Sequence, residues 1–249
     1  IRRIVNAVDP GTSAPLVEIG PGRGALTRAL LAQGWQLSVI EVDRDLAAHL
    51  TQEFGTHGTL QVYQADALEF DFHGFGAQIR VVGNLPYNIS TLLLFHLLDQ
   101  ADCIEQMVFM LQKEVVDRIC AAPGGKDYGR LTVMVQARCD VERLFNVGPG
   151  AFQPPPRVES AVLRLLPRPD FATSVLDPVL FAGLVRGAFQ QRRKMLRNAL
   201  RAVIADPGAL LERLRLDGAA RPETLTVAQF ISLANLASEL GVSSSSPAG

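Results

Sequence analysis

The sequence predicts an α/β fold: a mostly parallel, doubly wound sheet with helices on both faces, followed by a smaller helical domain. Three observations carry this reading. Short β-branched apolar runs alternate with stretches of helical composition through the first two thirds of the chain. Those runs end in loops holding Gly, Asp, Glu and Asn, at the strand ends where such sheets bind ligands. After Pro167-Arg168-Pro169 the β-branched runs stop and apolar residues recur at helical spacing.

The elements follow in order. Ile1-Arg2-Arg3-Ile4-Val5 reads as the middle of a helix, so a preceding segment is expected. Leu16–Gly20 is a short strand ending in a glycine loop, and Ala25–Gln33 is helical in composition. Leu37–Val42 is a β-branched run that ends at Asp43, and Leu60–Tyr63 leads to Ala65-Asp66. Ile79–Val82 leads to Gly83-Asn84-Leu85-Pro86-Tyr87, after which Ser90 is expected to cap a helix reaching about Gln100. Glu105–Gln112 reads as a strand, and Lys113–Ala122 as a helix stopped by Pro123-Gly124-Gly125. Leu131–Ala137 and Ala161–Leu166 read as later strands. Beyond them Phe181, Leu184, Val185, Ala188, Phe189, Leu196, Ala199, Leu200 and Val203 mark helices, and Leu225–Leu240 a final one. The expected domains are residues 1–167 and 168–240, with residues 241–249 a low-complexity, disordered tail.

Composition excludes several classes. With 48% hydrophobic and 20% charged residues, the chain must bury a core. Its longest apolar run, Leu92–Leu98, contains His96 and falls far short of the ~20 residues that span a bilayer. Residues 1–10 hold Arg2, Arg3 and Asp9 with no apolar run after them, so a secretory signal is not expected. Cys103, Cys120 and Cys139 are widely spaced and odd in number, which implies neither a disulfide framework nor a zinc site but a reducing cytoplasm. His49, His57, His73 and His96 form no metal spacing, and neither a GxSxG elbow nor a Walker loop occurs. The net charge of −1 hides a segregation. Residues 41–71 hold Glu41, Asp43, Asp45, Glu53, Asp66, Glu69 and Asp71 against Arg44 alone; residues 178–205 hold Arg186, Arg192, Arg193, Lys194, Arg197 and Arg201 and no acid. The first stretch repels phosphates and the second attracts them.

Glu18-Ile19-Gly20-Pro21-Gly22-Arg23-Gly24 follows the first strand and opens a helix, a place where glycines let the backbone approach a ligand. Read as GxGxxA through Gly20, Gly22 and Ala25, it also suits a dinucleotide dehydrogenase. Glu41, at the next strand end, can accept hydrogen bonds from both hydroxyls of a ribose, which fits NAD and S-adenosylmethionine equally. Asp66, at the third, suits an adenine exocyclic amine. The acidic band favours a sulfonium cation over a pyrophosphate.

Asn84-Leu85-Pro86-Tyr87 is the most specific signal. The N6 amine of adenine is a poor nucleophile because its lone pair is delocalised into the ring. Its proton becomes acidic only after attack on a methyl group, so acceptors matter more than a base. The Asn84 side-chain oxygen and the Leu85 carbonyl can draw the N–H bonds out of the ring plane. Pro86 stiffens the loop, and Tyr87 offers a face for base stacking.

Together the Glu18–Gly24 loop, Glu41, Asp66 and Asn84–Tyr87 resemble the ribosomal RNA adenine dimethyltransferases. Phe152-Gln153-Pro154-Pro155-Pro156-Arg157-Val158-Glu159-Ser160 resembles the Phe-x-Pro-x-Pro-x-Val-x-Ser segment of that family. The resemblance runs from Ile1 to about Leu240 and implies a Rossmann-like class I methyltransferase sheet using S-adenosylmethionine. It implies Glu18, Gly20, Gly22, Glu41, Asp66 and Asn84 as cofactor residues, and Asn84, Leu85, Pro86 and Tyr87 as the catalytic motif. Phe152 would stack on the face of the target adenine opposite Tyr87.

Phe189–Leu200 is similar to the basic helix of the KsgA/Dim1 branch, which dimethylates adjacent adenosines near the 3′ end of small-subunit (16S) rRNA. The Erm branch shares the first motifs without this helix. Arg192, Arg193, Lys194, Arg197 and Arg201 would then bind rRNA phosphates, with Arg193, Arg197 and Arg201 on one helix face. The family's Gln-x-Phe-Leu cofactor segment is expected upstream of Ile1. The implied partner is the small ribosomal subunit, met by a cytoplasmic monomer with no membrane or metal. Three alternatives remain at this stage. One is an NAD(P)-dependent dehydrogenase, which gives Asn84–Tyr87 no use. Another is a factor that inspects ribosomal subunits with methylation secondary. The third is an Erm-like large-subunit rRNA or DNA N6-adenine methyltransferase.

Overall fold

The computed structural model describes residues 1–8, 14–55, 58–86, 88–152 and 155–242. They form two compact units. One joins Ile1–Val116 to Asp140–Pro167; the other joins Asp117–Cys139 to the chain from Arg168 onward.

The first unit is built from α1 (Arg2–Ala7), β1 (Leu16–Ile19), α2 (Ala25–Leu31), β2 (Leu37–Glu41), α3 (Arg44–Phe54), β3 (Leu60–Gln64), β4 (Ile79–Asn84), α4 (Ser90–Leu98), β5 (Ile104–Gln112), the start of α5 (Lys113–Ile119), β6 (Cys139–Val147) and β7 (Ser160–Pro167). The seven strands lie in the order β3-β2-β1-β4-β5-β7-β6. The pairs β1–β2, β1–β4, β2–β3 and β4–β5 are parallel, and β7 runs antiparallel to β5. Strand order reverses between β1 and β4, so the ligand crevice of a doubly wound sheet falls at their carboxyl ends.

On one face of this sheet Ile4, Val5 and Val8 from around α1, Leu26 and Leu30 from α2, and Leu50 and Phe54 from α3 pack on Val39, Val82, Val108 and Val162. Val17, Ile40, Val81 and Phe109 are buried as well, so the central strands are covered on both sides. The turn into α3 is set by Asp43, whose carboxylate accepts the N–H groups of Asp45 and Leu46 at 2.8 and 3.0 Å.

The second unit contains α6 (Arg130–Arg138), α7 (Phe171–Ser174), α8 (Pro178–Gln190), α9 (Leu196–Leu200), α10 (Pro207–Arg213) and α11 (Val227–Glu239). Its core includes the buried Tyr128 edge-on to Phe189 at 6.1 Å, with Phe189 against Phe230 at 5.7 Å. Asp177, Asp206 and Thr226 cap α8, α10 and α11.

Several expectations are corrected here. Leu131–Ala137 is not a strand but the body of α6. Its β-branched residues are buried in a helical unit, Thr132 Oγ1 donates to the Arg118 carbonyl at 2.6 Å, and Gln136 donates to the Ile119 and Ala121 carbonyls. The stretch 117–139 therefore belongs with the helices, and the sheet unit is interrupted rather than continuous over 1–167. Strand β6 was not expected; it is an edge strand, where half the side chains face solvent. Ser90 is the first residue of α4 rather than its cap, because Ile89 already accepts the Leu93 N–H through its carbonyl.

The basic segment is not one helix. Gln190 ends α8, residues 191–194 turn, and Met195 caps α9, so Arg193, Arg197 and Arg201 do not share a continuous helical face. The break is held by the Leu196 and Arg197 N–H groups, which donate to the Ala220 and Gly218 carbonyls at 2.7 and 3.1 Å. Residues 243–249 of the expected tail lie outside the described residues. No helix among the described residues is long and apolar enough to cross a membrane.

Candidate active site

The crevice is formed by loops after β1, β2 and β4. Register pairs Ile19 with Gly83, which sets the glycine loop beside the Asn84 loop; a Cβ added to Gly20 would lie 3.9 Å from Pro86 Cδ. Gly20, Gly22 and Gly24 have φ of +64°, +58° and +78°, a region other residues enter only with strain. Gly83 is required for a different reason: its Cβ would come within 2.6 Å of the Ile19 carbonyl oxygen. The only local signal for this Gly in the sequence is its place immediately before Asn84.

Two carboxylates are buried behind this loop. Glu41, 6% exposed, accepts the Gly22 N–H on Oε2 and the Asp43 N–H on Oε1, both at 3.1 Å. A carboxylate offers about four lone-pair positions, so each Glu41 oxygen retains acceptor capacity for a ligand. Glu18, 2% exposed, accepts the Thr27 hydroxyl at 2.7 Å. Burial pushes its pKa from the ordinary 4.5 up to about 7; the Thr27 hydrogen bond opposes that rise, and the charge of Glu41 adds to it. Thr27, one turn into α2, was missed from sequence and is the side chain that orients Glu18. Asp66 is exposed and accepts the Leu68 N–H at 2.9 Å, while the Ala65 N–H donates to the Glu41 carbonyl at 3.1 Å and ties the ends of β2 and β3 together.

Asn84 closes β4 with its side chain exposed. Leu85 continues the strand direction: its side chain is buried and its N–H donates to the Met110 carbonyl at 3.1 Å. Pro86 is exposed. Tyr87 lies outside the described residues. Phe152 is half-buried and packs against the core face that carries α1 to α3. In the helical unit, Arg193, Lys194, Arg197 and Arg201 are exposed, whereas Arg192 donates to the Gly125 carbonyl at 3.2 Å and faces Glu223 at 3.5 Å.

This arrangement fits an adenosyl sulfonium. A loop of glycine backbone leaves room for a ligand, Glu41 retains acceptors for ribose hydroxyls, and two buried carboxylates favour positive charge. A pyrophosphate in the same place would meet both carboxylates, which weighs against a dinucleotide.

The sequence profile of the family described as ribosomal RNA adenine dimethylase matches residues 1–239. The Ribosomal RNA small subunit methyltransferase A of Pseudomonas aeruginosa is 51% identical over 243 residues, covering 96% of this chain and 90% of the relative. The protein of that name from Xanthomonas oryzae pv. oryzae is 54% identical over 238 residues, covering 95% and 90%. A dimethyladenosine transferase structure from Plasmodium falciparum matches with TM-score 0.83 at 26% identity, covering 97% of this chain and 96% of that one. The 23S rRNA methyltransferase ErmE matches with TM-score 0.69, also at 26% identity, covering 94% of each. The chain belongs to the ribosomal RNA adenine dimethylase family.

Proposed function

We propose that this protein dimethylates the N6 amines of two adjacent adenosines near the 3′ end of small-subunit rRNA, using S-adenosylmethionine, in the cytoplasm and as a monomer. One observation carries the reading. The Asn84-Leu85-Pro86 segment opens at the carboxyl end of β4, directly beside the glycine loop and its two buried carboxylates. Relatives at 51% and 54% identity bear the small-subunit name, which favours that substrate over the 23S rRNA of ErmE.

S-adenosylmethionine, when bound, supplies an electrophilic methyl group. Glu41 would hold its ribose, Asp66 its adenine amine, and Gly20 and Gly22 would let the backbone close on it, with Glu18 buried behind the loop and oriented by Thr27. Asn84 and the Leu85 carbonyl accept hydrogen bonds from the target amine, localise its lone pair on nitrogen and orient it for in-line attack. The proton, acidic once nitrogen becomes tetrahedral, leaves to solvent. Buried Leu85 and the ring of Pro86 keep those acceptors aimed. Tyr87 and Phe152 would sandwich the base. Exposed Arg193, Lys194, Arg197 and Arg201 would hold rRNA phosphates, with Arg192 already engaged by the protein itself.

The test offers labelled S-adenosylmethionine with unmethylated small subunits, large subunits and DNA, and maps the product. Dimethylated adenosines in small-subunit rRNA are expected. An Asn84→Ala variant should lose most turnover while retaining cofactor affinity, since its acceptor matters most at the transition state. Label confined to large subunits or DNA, or normal turnover by Asn84→Ala, would overturn the corresponding part of the proposal.

A further inference from the structure

The sheet unit holds a second feature near the crevice, at its β6 edge. Arg168 N–H donates to the Arg138 carbonyl, and Arg164 pairs with Glu142 at 3.2 Å. Ascending β6 therefore runs alongside descending β7, and the two strands are antiparallel. That places Phe145, near the end of β6, level with the start of β7, where Ala161 pairs with Leu111. Leu111 is one residue beyond the Asn84–Met110 pair. Phe145 thus sits at the same end of the sheet as Asn84, three strand positions away, or ~14 Å at a spacing of ~4.8 Å.

Here α1 and β6 border a shallow, open surface cavity of about 300 Å³ lined by Arg3, Asn6, Ala7, Leu144 and Phe145. The Arg3 guanidinium lies 3.7 Å over the Phe145 ring. The ring, half-buried, is backed by the sheet core, so the pair presents one flat cationic wall to the cavity. No carboxylate lines the space, and among the described residues Arg3 forms no ion pair. Glu142, on the same strand, is taken by Arg164, which also donates to the Ala7 carbonyl at 3.0 Å. That bond pins the end of α1 to β7 and fixes the cavity's geometry.

A planar base stacks on arginine and aromatic faces, while the N–H edge of a guanidinium suits phosphate. We propose that this cavity is a second RNA subsite, which holds one unpaired nucleotide of the strand flanking the target adenosine. Its base lies on the Arg3–Phe145 wall, its edge is read by the Asn6 amide, and a phosphate meets the free edge of Arg3. The subsite explains how a strand is kept in register once its target base has left the stack. The inference rests on the rRNA reading above.

The experiment uses the full-length protein and unmethylated small subunits. Arg3→Gln and Phe145→Leu should each weaken subunit binding by about five- to a hundredfold, the value of one stacked base. Affinity for S-adenosylmethionine should stay at the parent value in both variants, and so should the thermal midpoint of Arg3→Gln, whose side chain is exposed; a lower midpoint in Phe145→Leu reports only the loss of its packing on the core. A benzophenone-bearing phenylalanine at position 145, in the otherwise unchanged protein, should crosslink to a single unpaired rRNA nucleotide near the methylated pair. Unchanged subunit affinity in Arg3→Gln would overturn the subsite, as would crosslinks only to ribosomal protein or to duplex RNA. If the parent protein fails to methylate small subunits at all, the rRNA reading has failed instead, so the two failures are separable.

Discussion

Replacing Glu18 by Gln isolates the energetic consequence of a buried acid beside the cofactor loop. The side chain is 2% exposed and lies close enough to Glu41 to feel its charge. Its pKa stands at about 7 against the ordinary 4.5. At ~1.4 kcal/mol per pKa unit, that gap corresponds to ~3 kcal/mol. The sign follows from proton linkage: between pH 4.5 and about 7 the folded protein holds a proton that the unfolded chain has released. Stability contributed by this group is therefore complete at the acid end, declines as pH rises through the window, and levels off above about 7. Glu18→Gln keeps an acceptor for the Thr27 hydroxyl and never ionises. Its advantage over the parent should grow from near zero around pH 5 to ~3 kcal/mol around pH 8. Urea unfolding followed by fluorescence of Trp35, the single tryptophan and itself in the sheet unit, reads this directly. Parallel pH profiles for parent and variant would refute the reasoning and place Glu18 in a solvated setting.

Other perturbations follow from the same geometry. Glu41→Ala removes the anchor of the Gly22 and Asp43 N–H groups as well as the ribose acceptor, and calorimetry should show S-adenosylmethionine binding weakened about tenfold or more. Substituting Arg193 and Arg197 together by Gln should weaken subunit binding and lower its log–log salt slope by about 1.5, since each phosphate contact contributes ~0.7–0.9; cofactor binding should not change. An unaltered slope would place the phosphate contacts elsewhere.

Much of the sheet was legible because each central strand is a compact β-branched run ending at a residue with chemistry. Asn84 falls, exposed, at the end of β4, and Glu41, though buried, at the end of β2, where N–H groups of the adjoining loops can satisfy its carboxylate. What misled was burial without period. Leu131-Thr132-Val133-Met134-Val135 has the composition of a strand, yet Thr132 and Gln136 satisfy carbonyls of the preceding segment and hold it helical. Strand β6 was hidden for the opposite reason: Asp140, Glu142 and Arg143 face outward at a sheet edge and dilute the apolar signal. The basic run was read as a helix because arginine and leucine favour one. The break at 191–195 depends on carbonyls of Gly218 and Ala220, far along the chain, which no local pattern reveals. Within the site, the glycine loop announced itself, but the hydroxyl of Thr27 and the bare Cα of Gly83 acquire meaning only from what stands opposite them.

The second unit is assembled from two separated stretches of chain, 117–139 and the portion from Arg168 onward. It is therefore an insertion joined to an extension, not an appendage. A truncation after Pro167 would strand α6 without the helices it packs on, leaving a buried apolar face in water. A chimera that exchanged only the carboxyl-terminal portion between relatives would have to repack Tyr128 against a foreign Phe189. Exchange by recombination is thus penalised unless both stretches travel together, and the two stretches are constrained to diverge as one hereditary block.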